Sequence, residues 1–230
     1  MAKKMVCTAS AVVALAIVPQ VWAAPPPPIP KGDIAINLVP IATQLGAPDY
    51  GISPPGDLSR LFVVEQKGLL RVIQNGSLLP GSVLDITTRV SPPLVPSNPN
   101  DERGFLGLAF SPGFNDSNSV GYRTLYTYTS EPLPAGTLPT YVTPNYPSNP
   151  MATQNFKNVI TEWKMSATNP NLVDLNSRRE LISFGKTANN HNGGTIAFGP
   201  DGNLTWGRGT AATPGTSARA ISSQAAMRRT

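Results

Sequence analysis

The stretch Asn189-Asn190-His191-Asn192-Gly193-Gly194-Thr195-Ile196-Ala197-Phe198-Gly199-Pro200-Asp201-Gly202 decides how this chain is read. Ile196-Ala197-Phe198 is an apolar, strand-like run, and Pro200-Asp201-Gly202 is a turn signal. Leu204-Thr205-Trp206 returns as a second strand, so the segment reads as a β-hairpin. In front of the hairpin stands the only histidine of the chain, among the side-chain amides of Asn189, Asn190 and Asn192. A lone histidine is by default structural or merely exposed. Here two glycines follow it and allow a ligand close to the backbone. A titratable imidazole in that setting is also a candidate general base.

The same turn-and-strand grammar runs outward from this hairpin. The chain has 230 residues, with 25 prolines and 20 glycines, too many for long helices. Short apolar runs between dense turn signals favour an all-β domain with a real core. Arg60-Leu61-Phe62-Val63-Val64-Glu65-Gln66 and Leu69-Leu70-Arg71-Val72-Ile73 flank Lys67-Gly68 and read as a hairpin with Gly68 in the turn. Asn75-Gly76 makes the next turn, and Val83-Leu84-Asp85-Ile86 is a short strand. Asp101-Glu102-Arg103-Gly104 opens the apolar run Phe105-Leu106-Gly107-Leu108-Ala109-Phe110, closed by Ser111-Pro112-Gly113-Phe114. Residues 124–129, 159–165 and 180–184 are further strands, the last two joined by a polar Asn/Asp-rich turn. Residues 91–100 and 132–150 read as loops, the second with six prolines. No helix is expected after residue 30. About nine strands, at about four per blade, make two blades and the start of a third. A small sandwich or barrel satisfies the strand count equally well.

Charge and targeting signals bound the function. The net charge of +5 invites a nucleic-acid or membrane partner. However, Lys3, Lys4, Arg208, Arg219, Arg228 and Arg229 lie at the two ends of the chain. Setting those six aside leaves 12 basic residues against 13 acidic ones, a nearly neutral body with no expected nucleic-acid partner. Lys3 and Lys4 followed by the apolar residues 5–18 read as a signal peptide, too short for a membrane span, with cleavage after Ala23. The expected location is secreted or periplasmic. The one cysteine, Cys7, falls within the signal, so the mature chain is expected to have no disulfide and no thiolate site. Residues 24–35 read as a proline-rich linker.

Three blocks carry a resemblance. Residues 60–68, 101–110 and 190–202 occur in that order in the glucose/sorbosone dehydrogenase family, and the similarity covers about residues 36–206. That family includes soluble quinoprotein sugar dehydrogenases and extracellular Hedgehog-interacting-like proteins. The resemblance implies a six-bladed β-propeller, here incomplete at about two blades plus part of a third. It implies pyrroloquinoline quinone (PQQ) and calcium as cofactors, an aldose as substrate and a separate electron acceptor. His191 matches the family's catalytic histidine. Glu102 with Arg103, and Asn190, match cofactor-contacting positions where several quinone-dependent members carry glutamine and aspartate. Arg103 or calcium is needed to offset the Glu102 carboxylate against an anionic quinone; an exposed Glu102–Arg103 ion pair is the plainer reading. No metal ligand is assigned, and Gly199-Pro200-Asp201-Gly202-Asn203 reads as a turn rather than a calcium loop.

After Trp206 the family pattern stops. Residues 207–230 are small and basic and contain no acid, a composition that buries no core. Re-read from the third base of the Gly209 codon, permitted codons spell DGGNARDVGQGHIEPGGNAQD, which resembles what the family carries next. The expectation is an out-of-frame, disordered tail on an exported sugar dehydrogenase, so that this polypeptide is an inactive fragment. The alternative is an extracellular propeller of the same family that binds carbohydrate or protein without redox chemistry; Glu102 and Asn190 favour it.

Overall fold

The computed structural model describes residue 32 and residues 37–90, 101–141, 156–186 and 189–209. The signal peptide, most of the linker, the loop at 91–100 and the tail from 210 onward lie outside the described residues. The chain divides into two compact units, Met1–Val39 and Pro40–Thr230, and all the strands belong to the second.

Eleven strands and no helix are present among the described residues. Sheet one holds β1 (Pro48–Ile52), β2 (Arg60–Glu65) and β3 (Leu69–Gln74), all antiparallel. Its fourth position is shared by two short strands. The strand β4 (Ser77–Leu78) pairs with the end of β3, and β5 (Leu84–Asp85) pairs with its start. Sheet two is a four-stranded antiparallel meander of β6 (Phe105–Phe110), β7 (Thr124–Pro132), β8 (Phe156–Met165) and β9 (Val173–Lys186). Sheet three is the hairpin β10 (Gly193–Phe198) and β11 (Leu204–Arg208). No helix long and apolar enough to cross a membrane occurs among the described residues.

Turn chemistry places the hairpins where the sequence predicts them. Asn75 and Gly76 both take positive φ (49° and 79°), which matches the twist of a two-residue hairpin turn. Gly68 sits at φ 111°, where its amide donates to the Glu65 carbonyl at 2.9 Å. Asp201 accepts from the Asn203 amide at 3.0 Å and from Asn203 Nδ2 at 2.7 Å, closing the last turn.

The meander is covered on both faces, and strand alternation sorts its side chains between them. Leu108, Phe110, Leu125, Trp163 and Met165 join Phe62, Val64 and Leu70 of sheet one in one buried cluster. Ala109, Tyr126, Tyr128, Ile160 and Phe184 join Ile196, Leu204 and Trp206 of the last hairpin in another. Phe62, Phe110 and Phe114 pack edge-on at centroid separations of 5.0 and 4.8 Å, which ties sheets one and two together. The inner strand β6 therefore lies between β1 and β2 on one side and β10 on the other. This is the face-to-face blade packing of a β-propeller. Two blades and the opening hairpin of a third match the expected count.

Several strands depart from expectation, among them β4, which was not expected, and β8, which starts at Phe156 rather than at 159. The strand β9 has 14 residues and includes Asp174 to Arg179, predicted as a loop. Its polar half is an edge strand facing water, so it lacks the apolar alternation by which strands are read. The exposed β1 was missed for the same reason. The strand β7 runs on through Pro132, three residues beyond its β-rich core; the proline is tolerated as its final residue.

Candidate active site

The site lies where the N-terminal ends of β6 and β10 meet. Blade packing there needs glycine. A Cβ at Gly107 would overlap the Gly194 carbonyl, and one at Gly194 would crowd Leu106. Gly194 has φ 129°, and Gly104, just before β6, has φ 146°, where an added Cβ would overlap Gln66 O. These contacts bring the segment 101–104 beside the loop 189–194.

Each segment is fixed by polar bonds. Gln66 of sheet one donates from Nε2 to the carbonyls of Asp101 (3.1 Å) and Arg103 (2.9 Å), and its own carbonyl accepts from Phe105 N at 2.9 Å. Asp101 grips Arg103 with both carboxylate oxygens, at 2.8 Å to Nε and 2.5 Å to Nη2, and also accepts its backbone amide. The Arg103 guanidinium beside Asp101 holds that carboxyl below its ordinary value, burial opposing the shift. The guanidinium also lies over the Phe156 ring, 5.4 Å from its centroid. Arg103 is thus the partner of Asp101. The predicted Glu102–Arg103 ion pair is not formed among the described residues, because Asp101 occupies the guanidinium fork.

Glu102 turns to the histidine loop instead. Its backbone amide donates to Asn189 O at 2.9 Å, and its carboxylate accepts the His191 amide in a short bond of 2.5 Å. On the other side of the same residue, Lys186 Nζ donates to His191 O at 2.7 Å and to Gly209 O at 3.4 Å. Lys186 is 2% exposed. His191 itself adopts the left-handed region at φ 55°. Its side chain is exposed and makes no hydrogen bond among the described residues. Asn190 is half-buried, likewise with no side-chain hydrogen bond among the described residues.

Asn192 anchors the loop from beneath. It is fully buried; its carbonyl accepts Tyr128 OH at 2.7 Å and Asn158 Nδ2 at 3.1 Å, and its own Nδ2 donates to Asn189 O at 2.9 Å. Ser130 Oγ donates to Asn158 Oδ1 at 2.9 Å, so the network is carried down into the meander. A satisfied buried network of this kind rigidifies what it holds. Sequence reading missed Lys186, Asn192, Tyr128 and Asn158. The one usable signal was a lysine at the end of the apolar run 181–185, five residues before the only histidine.

The blades and the site define an all-β chain of propeller type with one exposed histidine at the end of an inner strand. The comparisons agree on the fold. A PQQ-bound aldose sugar dehydrogenase from Streptomyces coelicolor superposes with a TM-score of 0.51 at 20% identity, over 77% of this chain and 42% of that one. A crystal structure of a glucose dehydrogenase gives 0.50 at 18% identity, over 74% and 39%. In sequence, the human and mouse Hedgehog-interacting proteins are 28% identical over 146 residues, 63% of this chain and 18% of theirs. No family model matches the chain. These relatives are of the two kinds that the resemblance in the sequence names, sugar dehydrogenases and Hedgehog-interacting proteins. This chain spans about two-fifths of the solved sugar dehydrogenases and under one-fifth of the curated relatives.

Proposed function

We propose that this chain carries the base-bearing blades of an exported, PQQ-dependent aldose dehydrogenase, with His191 as the catalytic residue. The observation that carries this reading is the disposition of His191. Its backbone is bonded on both sides while its imidazole stays exposed and free of partners among the described residues. A neutral imidazole nitrogen so presented takes the proton from the anomeric hydroxyl of an aldose. PQQ, when bound, supplies the acceptor for the hydride from the same carbon, leaving the lactone. Asn190 beside the base offers an amide to substrate or cofactor.

The fit to the cofactors is partial. The base and the amide suit the acid–base half of the chemistry. The charge half does not fit among the described residues. Arg103 is neutralised by Asp101, Glu102 adds a carboxylate, and no group of three or more His, Cys, Asp or Glu side chains is placed to hold calcium. No step is therefore assigned to Glu102 or Arg103, and any calcium ligands are assigned outside these residues. The 230-residue polypeptide is expected to be inactive alone, and the segment from 207 is read as out of frame.

The spent guanidinium of Arg103 favours the second reading, an extracellular propeller that binds carbohydrate or protein without redox chemistry. One experiment separates them. The gene is resequenced, the frame after Gly209 is restored, and the product is mixed with PQQ, calcium, an aldose and a reducible dye. Dye reduction that disappears in H191A supports the dehydrogenase; absence of quinone binding rejects it in favour of the binding propeller.

A further inference from the structure

We propose that Glu102 and Lys186 are positioning residues, a charged clamp that holds His191 in its left-handed conformation and so fixes where the imidazole projects. The function of the clamp rests on the reading of His191 as the base. The clamp itself stands on geometry alone.

The left-handed region is uncommon for any residue but glycine, because the Cβ crowds its own backbone. A histidine at φ 55° persists only where the surroundings determine it. Here they act on both of its backbone polar groups. The carboxylate of Glu102, from the segment leading into β6, takes the amide. The ammonium of Lys186, from the last residue of β9, takes the carbonyl at 2.7 Å. Hydrogen bonds to charged partners are shorter and stronger than neutral ones. The last residue of β9 and the segment leading into β6 therefore grip one residue at the start of the third blade.

A lysine only 2% exposed is costly unless its ammonium is bonded, and the carbonyls of His191 and Gly209 provide for it. Glu102 leaves the neighbouring guanidinium to Asp101 and reaches the histidine amide. The position that the family resemblance assigned to cofactor contact thus acts here through the histidine.

The single histidine makes the idea directly measurable, because the chain gives one imidazole spin system and one histidine amide in NMR. In the 230-residue chain the His191 amide proton is expected far downfield and protected from exchange. Glu102 is exposed, so E102A should leave the fold, and the rest of the spectrum, intact. In E102A the amide moves upfield and exchanges about tenfold faster or more, the factor that a hydrogen bond to a charged group represents, and the imidazole signals broaden. E102Q, whose amide oxygen still accepts, restores most of the protection. K186M, or K186R if the methionine variant does not fold, broadens the imidazole signals, with arginine the milder of the two. An unchanged amide shift and exchange rate in E102A would overturn the clamp. Absence of dye reduction in the restored enzyme would instead strike the proposed function and leave this result readable.

Discussion

Asp101 and Arg103 show how a single pair of residues can shape a site without facing it. The Asp101 side chain is 3% exposed and its carboxylate is bonded at both oxygens to Arg103. D101N keeps the shape but loses the charge and one acceptor, so it should cost about 1–3 kcal/mol near neutral pH, read from urea midpoints. The pH dependence follows from the sign of the shift. The folded carboxyl titrates below its ordinary 3.8, held down chiefly by the Arg103 hydrogen bond. Its contribution is then fully present above that value and is lost as the pH falls through the folded value. The gap between wild type and D101N should therefore narrow below pH 3.8 and stay constant above it. A gap that widens in acid would contradict this assignment. The buried amide of Asn158 predicts a second residue-scale effect. N158A strips the partner from Ser130 Oγ and one donor from Asn192 O, and should cost about 1–3 kcal/mol while loosening the histidine loop. A midpoint unmoved in N158A would mean that the network is not what anchors Asn192. The loop that carries His191 and Asn190 was legible in the sequence because Gly193 and Gly194 announce a close backbone approach. Lys186 was not, because a lysine ending an apolar run also describes an ordinary solvated strand end, and only the tertiary contact shows its ammonium turned inward.

The strands β6 and β10 meet backbone to backbone, and that contact sets the spacing of the second and third blades. Gly107 faces the Gly194 carbonyl, and Gly194 sits at φ 129° against Leu106. G107A must push the two strands apart, at about 1–3 kcal/mol of overpacking cost. G194A adds backbone strain to the same crowding and should cost more. The check is a pair of denaturation curves, with G194A as the lower midpoint; equal stability of both variants with wild type would show that the strands are not in contact. Hairpins were readable before the structure because their turns are local chemistry. Asn75-Gly76 and Asp201-Gly202 need only their own residues to adopt their φ values. The strand β9 was only half readable. Leu181, Ile182 and Phe184 mark its end, but Asp174, Asn176 and Arg179 look like a loop until the pairing of Lys164 with Asp174 and Glu162 with Arg179 fixes them as an edge. Nothing in a polar edge strand distinguishes it from a turn when its partner is not known.

At the scale of the molecule, the three sheets are held unequally. Fifteen buried apolar residues join the first blade to the meander, including Phe62, Phe105, Phe110 and Trp163. The last hairpin contributes Ile196, Leu204 and Trp206 to a smaller cluster, and Gly193, Thr195 and Ala197 on the other face of β10 are exposed. The succession of turns and short strands was legible in the sequence and the propeller came from the family resemblance, whereas this inequality depends on which faces meet. It has a consequence for the histidine, since His191 precedes β10 directly and shares the stability of that hairpin. Local opening free energy follows buried apolar contact, so β10 and β11 should open well before β7 and β8. Hydrogen exchange followed by mass spectrometry tests this on the 230-residue chain. Peptides covering 193–208 should exchange at least about tenfold faster than those covering 124–132, a ratio that corresponds to about 1.4 kcal/mol of opening free energy. Equal protection of the two regions in the 230-residue chain would mean that the hairpin needs no further strand, and that the histidine loop is already as rigid as the blade beneath it.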